Sequence, residues 1–413
     1  MSYIVVVNPA ILSATGMDLH ALIITTALAA MIGTLMMALS ANLPIALAPG
    51  MGSNIVFAQV VVLRMGVSYQ TALAMVMTGG ILFVVLALTR FRARLVEGFP
   101  DSIRLGMQCG IGLFIAYLGL KNGGLVVQGT HGVSFGHLRE PAVMLVFVGM
   151  LATPVLVALR IPGGLLLSIV VLTLIGLAVP GVAGHPVTAH PRHFLDWPTL
   201  PHQLLFAVDF RQFATHFFVL LPIALYFFLS DFFSATATLI GVTRRAGMMD
   251  AQGRIPNAQR AFTADGAASI VGALLGSSTV AAYVESAAGV ESGGRTGLTG
   301  VVVAILFGLS LFFWPVIAII PPQATAPALV LVGVLMMEGI RELDTSSPEN
   351  TIPPILILLL VVVTTDLMMG LASGCFVYTL IVLAKRQWRK LTPMLLTVDA
   401  VLILYVVLTN SAM

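Results

Sequence analysis

The feature that most limits the fold is a succession of apolar stretches, most of them close to the length that crosses a bilayer and separated by short polar links. They cover approximately residues 20–41, 44–64, 69–90, 102–120, 141–160, 163–180, 214–241, 259–276, 278–291, 297–320, 325–340, 353–384 and 394–410. An α-helix needs about 20 predominantly apolar residues to span the hydrocarbon core. The chain therefore reads as a polytopic helical membrane protein. Charged residues make up 9% of it, against about 25% in ordinary soluble domains. The stretch 353–384 fits either one tilted span or a tight hairpin, with Asp366 near its middle. With a partial helix at the start, thirteen to fifteen spans are expected. That opening run, ending at Leu12, is shorter than a span and has no basic leader; it reads as half a helix, truncated or continued upstream.

The basic residues orient the chain. Arg90, Arg92, Arg94 and Arg104 crowd one link, Arg244, Arg245 and Arg254 another, and Lys385, Arg386, Arg389 and Lys390 a third. Positive links face the cytoplasm, so the net charge of +3 reflects topology and not a nucleic-acid surface. Cys109 and Cys375 both fall inside apolar runs, which argues against a structural disulfide or a metal site. The connection 181–213 carries His185, His190, His193 and His202 among prolines. Their spacing matches no metal-ligand motif, and the segment reads as a solvated external loop.

Two apolar stretches cannot be regular helices. One is NLPIALAPGMGSN, Asn42 to Asn54, where Pro44, Pro49, Gly50 and Gly52 interrupt any helix. The other is GSSTVAAYVESAAGVESGGRT, Gly276 to Thr296, which sets Glu285 among small residues. Non-helical backbone at membrane depth is tolerated only where protein buries it or water reaches it. Two broken segments in corresponding positions of two halves point to a transporter site made by inverted repeats. Glu285 is accordingly expected at a ligand or proton site, because an ionisable group in a membrane segment is costly unless it faces a cavity or a partner. A second acid, Asp231, lies in PIALYFFLSDFFSATATLIG, flanked by Phe227, Phe228, Phe232 and Phe233. Burial among rings disfavours the charged form of an acid, which fits a group that exchanges a proton. Asp265 and Asp366 lie near helix ends or kinks and read as packing or capping groups.

These motifs carry a family resemblance. FFLSDFFSATATLIGVTRRAGMMDAQGRIPNAQRAFTADG, ALLGSSTVAAYVESAAGVESGGRTGLTGVV, PPQATAPALVLVGVLMM and ANLPIALAPGMGSN resemble, in register over nearly the whole chain, the second family of nucleobase:cation symporters, in particular its branch of hypoxanthine, adenine and guanine permeases. The resemblance implies an all-α membrane fold of about fourteen spans in two inverted seven-span repeats, with short strands in the broken third and tenth spans. It implies a core domain from 1–95 and 214–320, a gate domain from 96–180 and 321–413, and the external loop 181–213 between them. By position, Glu285 matches the purine-binding carboxylate of the tenth span, Asp231 the first acid of the eighth, and Asn54 the asparagine after the third-span glycines. Ser53 and Ser286 join them as expected substrate contacts, with Asp231 and Glu285 as proton-coupling groups. Where the family commonly has a second acid three residues after the first, this chain has Ser234. The expected partners are a purine nucleobase, a coupling cation (H⁺ before Na⁺), the lipid bilayer and, if the chain associates, a second copy. No enzyme activity, cofactor or metal is expected. The rival reading is an anion carrier or channel of the same inverted-repeat fold, against which two central acids argue because they repel the permeant.

Overall fold

The computed structural model describes residues 1–89, 100–129, 132–159, 161, 163–181, 185–191, 193–249, 255–364 and 367–411. Arg90, Arg92, Arg94, Arg254 and Asp366, singled out above, lie outside the described residues. The chain opens with α1 (Ile4–Leu12), which runs through Pro9 and tightens into a last turn at Ser13–Thr15. Next comes α2 (Leu19–Ala41), whose first turn is capped by Asp18 accepting from the Ala21 amide at 2.8 Å. Asn42 ends it in the left-handed conformation, φ 55°, ahead of Pro44. The first broken segment follows as strand β1 (Leu47–Pro49) and helix α3 (Met51–Ile55), which continues to Arg64 in wider turns. Helix α4 (Tyr69–Leu88) starts at a Ser68 cap.

Helix α5 (Asp101–Asn122) leads to a hairpin of β2 (Val126–Gly129) and β3 (Gly132–Phe135), then to α6 (Pro141–Ala158) and α7 (Gly164–Gly176). After the long connection come α8 (Phe210–Thr215), α9 (Phe217–Arg245) and α10 (Ala258–Leu274). The second broken segment is strand β4 (Val280–Ala282) and helix α11 (Ser286–Glu291), followed by α12 (Gly297–Ser310) and α13 (Trp314–Ala318). The chain finishes with α14 (Pro322–Met336), α15 (Pro348–Thr364), α16 (Leu367–Ala384) and α17 (Pro393–Ser411). The run 353–384 is thus a hairpin of two helices, α15 and α16, which pack on each other.

Among the described residues, seven helical segments are long and apolar enough to cross a membrane. Large apolar side chains such as Leu39, Val85, Leu151, Leu306 and Val363 stand exposed on their outer faces, as lipid contact requires. The repeat shows in the element order. Helix, helix, strand with half-helix, and four further helices run from α1 to α7, and the same series runs from α9 through α12 to α14, α15 and α16. Seven is odd, so the second series begins on the face opposite to the first. The halves are inverted, and α17 follows them.

The residues group into two compact units, 1–96 with 195–318 and 97–194 with 319–413. In the first unit α2 packs on α10 and α12, while α10 packs on α2 and α4, an exchange that the repeat predicts. Asn42 closes this unit across the repeat, its Oδ1 accepting from the Gly297 amide at the start of α12 at 2.9 Å. The segment from 195 to 209, expected in the external loop, lies against the same unit: Phe206 donates its amide to the Leu274 carbonyl and Asp209 to that of Gln70. In the second unit α14 packs on α5, α6 and α7, and α5 on α14, α15 and α16. There α5 and α14 meet glycine to glycine; a Cβ on Gly112 would stand 2.5 Å from the Gly333 carbonyl oxygen.

Candidate substrate and proton site

The two broken spans meet as an antiparallel pair within the first unit, Leu47 opposite Ala282, Ala48 opposite Ala281 and Pro49 opposite Val280. Three-residue strands hold only if their outward backbone groups also find partners. Two hydroxyls from the flanking helices supply them. On α2, Thr34 accepts from the Leu47 amide at 2.9 Å and donates to its carbonyl at 2.8 Å. On α10, Ser269 stands 3.0 Å from both the amide and the carbonyl oxygen of Val280. Gly33 lets α2 approach, since a Cβ there would lie 2.9 Å from a methyl of Val280. Beyond the ladder, Tyr283 donates its phenol to the Pro49 carbonyl at 2.5 Å and its amide to the Ala46 carbonyl at 3.1 Å.

The structure brings Asp231, Ser53 and the crossing together. Asp231 is buried on α9, its Oδ2 2.7 Å from the Ser269 hydroxyl and its Oδ1 3.5 Å from that of Ser53. Ser269 therefore ties the acid to strand β4. The phenylalanines beside Asp231 form an apolar box with α4 and α10: Phe83 meets Phe232 edge-on at 5.5 Å, and Phe232 lies 5.9 Å from Phe262. Asp265 is also fully buried, and its Oδ1 accepts from the Ala282 amide at 2.8 Å. Asp265 lies in the middle of α10, not near a helix end or kink as its sequence position suggested, and its bond goes to a strand amide.

Glu285 stands apart from these acids. It occupies the position just before α11 and is exposed, yet its Oε1 accepts from the phenol of Tyr3 at 2.5 Å. Among the described residues, none of Asp231, Asp265 and Glu285 forms an ion pair with Lys or Arg. Ser286 is buried, and its hydroxyl accepts from the Ala46 amide at 3.0 Å, which fixes α11 to the approach of β1. Asn54 sits in a separate buried chain: Ser278 donates to its Oδ1, its Nδ2 donates to Asn8, and Asn8 donates to Thr26 at 2.8 Å. That chain links α1, α2 and both broken spans.

Sequence reasoning missed Tyr3, Asn8, Ser269, Ser278 and Tyr283. Asn8 carried a signal, as the single polar residue within the apolar run of α1. Ser269 was accessible from helical spacing, because it follows Asp265 by four residues and shares its face.

A buried strand crossing held by hydroxyls, beside acids that form no ion pair with Lys or Arg among the described residues, lies in an inverted-repeat bundle of membrane-length helices, the architecture of an integral membrane transporter. The chain belongs to the Permease family, whose model it matches over residues 1–373. It is 37% identical to the guanine/hypoxanthine permease PbuO of Bacillus subtilis strain 168 over 402 residues, 96% of this chain and 91% of that one. It is 38% identical to the adenine permease AdeQ of Escherichia coli K12 over 414 residues, 99% of this chain and 90% of that one. Among solved structures it resembles the transmembrane domain of a cyanobacterial bicarbonate transporter, BicA, with a TM-score of 0.66 at 17% identity, covering 90% of this chain and 95% of that one. It also resembles the murine Solute Carrier 26 family member A9 anion transporter, with a TM-score of 0.62 at 12% identity, covering 92% of this chain and 66% of that one. Those two likenesses concern the fold alone.

Proposed function

We propose that this chain imports purine nucleobases across a bacterial plasma membrane by proton symport. Its near-full-length relatives are named for guanine, hypoxanthine and adenine. The structural observation that carries the reading is the state of Glu285: of Asp231, Asp265 and Glu285 it alone is exposed, and it lies where strand β4 gives way to α11. A purine presents ring N–H donors beside ring-nitrogen or exocyclic acceptors, so one carboxylate accepts from it while hydroxyls and free amides near the crossing complete the set. Glu285 is the primary anchor, with Ser53 nearest the proton site. Asn54 and Ser286, which already bond within the protein, shape the crossing on which the base rests. Asp231 holds the coupling proton, buried among phenylalanines where neutralisation favours movement through a low-dielectric environment. The unit containing residues 1–96 and 195–318 acts as the core and the other as the gate, the site being opened alternately to either side by rocking of one against the other.

The fold likeness to anion carriers raises the rival reading. The acids at the crossing speak against it, since an anion would meet Asp231, Asp265 and Glu285 with no paired cation among the described residues. The experiment is uptake of radiolabelled hypoxanthine, guanine, adenine and bicarbonate in a permease-deficient strain, with and without a protonophore. Purine uptake abolished by the protonophore supports the proposal; bicarbonate uptake without purine uptake refutes it.

A further inference from the structure

Comparing the outer edges of the two repeat-related strands exposes an asymmetry. In an antiparallel pair, alternate residues turn their N–H and C=O groups away from the partner strand. Leu47 and Val280, the first residues of β1 and β4, are held in the same way by Thr34 and Ser269. The third residues are not equivalent. Pro49 has no N–H to satisfy, and the position four residues before Thr34 is the apolar Ala30. Ala282 has an N–H, and the position four residues before Ser269 is Asp265, which accepts from it at 2.8 Å.

Capping one amide takes one oxygen, and an asparagine would provide it. The other oxygen of Asp265, Oδ2, is buried and has no hydrogen-bond partner among the described residues. Helices α2 and α4 and the two strands carry no Lys or Arg, and Arg260 of α10 itself is exposed. Helix α4 contains no ionisable residue beyond Tyr69 at its start, and α2 contains only His20 at its start. The strands contribute none, and beyond β4 lie Tyr283 and Glu285. Helix α9 contributes Asp231, along with Tyr226 and, at its far end, Arg244 and Arg245. Asp231 itself is reached through Ser269, one turn from Asp265 on the same face. Two acids in one buried region without a cation cannot both be ionised cheaply.

Resting on the reading of the chain as a proton-driven purine importer, we propose that Asp265 is a second proton-holding carboxyl, paired with Asp231 through Ser269 and read by strand β4 through the Ala282 amide. The step is a proton transfer only: a proton from the outer side binds a carboxyl oxygen of the pair and is released to the inner side after the base leaves. An ionised carboxylate holds an amide more strongly than a neutral acid does. The protonation state therefore changes the grip on Ala282, three residues before Glu285.

The test uses the full chain in proteoliposomes with a trapped pH dye, comparing wild type, Asp265→Asn, and Asp265→Ala combined with Ala282→Pro. Asn keeps the acceptor for Ala282, and the double variant reproduces the Ala30 and Pro49 arrangement of the first repeat. The expected result is that both variants retain hypoxanthine counterflow within about threefold of wild type, the scale of roughly half a kcal/mol. Both lose concentrative uptake at least tenfold, lose purine-dependent proton entry, and show a flattened dependence on external pH. Wild-type accumulation and proton entry in Asp265→Asn would overturn the proposal. So would loss of counterflow in both variants, which marks a purely structural role. A wild type that accumulates purine without proton entry overturns it as well, while a wild type without any purine counterflow refutes the transport reading itself.

Discussion

The phenol of Tyr3 donates to Oε1 of Glu285 at 2.5 Å, joining the first residues of the chain to a carboxylate 282 positions away. Tyr3 is buried and Glu285 exposed, so the bond fixes the open acid against a wall. A carboxylate held this way keeps its free lone pairs aimed at an incoming donor without first losing side-chain freedom.

Tyr3→Phe removes that hydrogen bond while keeping the ring. The net value of a hydrogen bond to a charged group is about 1.5–3 kcal/mol, part of which is recovered by water at an exposed acid. Purine affinity should fall by roughly three- to tenfold, about 0.7–1.4 kcal/mol. Titration of purified protein with hypoxanthine measures it, and unchanged affinity would mean that Glu285 needs no orientation.

Asp231→Asn should separate binding from energy coupling. The amide keeps a partner for Ser269 but cannot take up a proton, so equilibrium binding survives while accumulation against a gradient disappears. In the wild type, uptake should rise as external pH falls, because protonation neutralises the buried acid, and it should collapse with a protonophore. An Asn variant that still concentrates purine with the wild-type pH profile would remove Asp231 from the proton path.

The Asn54 and Ser278 contact should behave as one unit. Both groups are fully buried, and each single alanine variant strands the polar partner. The double variant should therefore be less harmful than the sum, with a coupling of about 0.5–3 kcal/mol in thermal or denaturant stability. Additive effects would show that the two side chains do not share a bond.

Gly112→Ala probes the other unit. Its Cβ would press on the Gly333 carbonyl where α5 meets α14, and overpacking of this kind costs about 1–3 kcal/mol. The melting temperature in detergent should drop, with purine affinity unchanged in the protein that remains folded. A variant as stable as wild type would show that the helices separate easily there.

Much of the architecture was legible because the bilayer restricts the choices. Apolar length gave the helices, and Pro44, Pro49, Gly50 and Gly52 marked the first break. The second break was marked by its small residues around Glu285. The strands themselves came from the family resemblance, since three residues of Leu-Ala-Pro or Val-Ala-Ala carry no strand periodicity. The hairpin of α15 and α16 stayed undecided because Pro353 and Pro354 lie inside α15 and do not mark its end. The site was only half visible. Asp231 and Glu285 stood out as acids in apolar runs, but their partners Ser269 and Tyr3 are ordinary residues whose role comes from contacts far apart in sequence. Sequence gave no means of telling that Asn54 and Ser286 bond within the protein, because that depends on Ser278 and Ala46 arriving from other spans.

The central claim is that a purine base is bound by the carboxylate of Glu285, and equilibrium binding to Glu285→Gln tests it most directly. Purified wild-type and variant proteins would be titrated with radiolabelled hypoxanthine, guanine and adenine, with circular dichroism confirming an intact fold. Loss of a charge-assisted hydrogen bond of about 1.5–3 kcal/mol predicts a fall in affinity of roughly ten- to a hundredfold. Wild-type affinity in the glutamine variant, for a base that the wild type binds, would contradict the account.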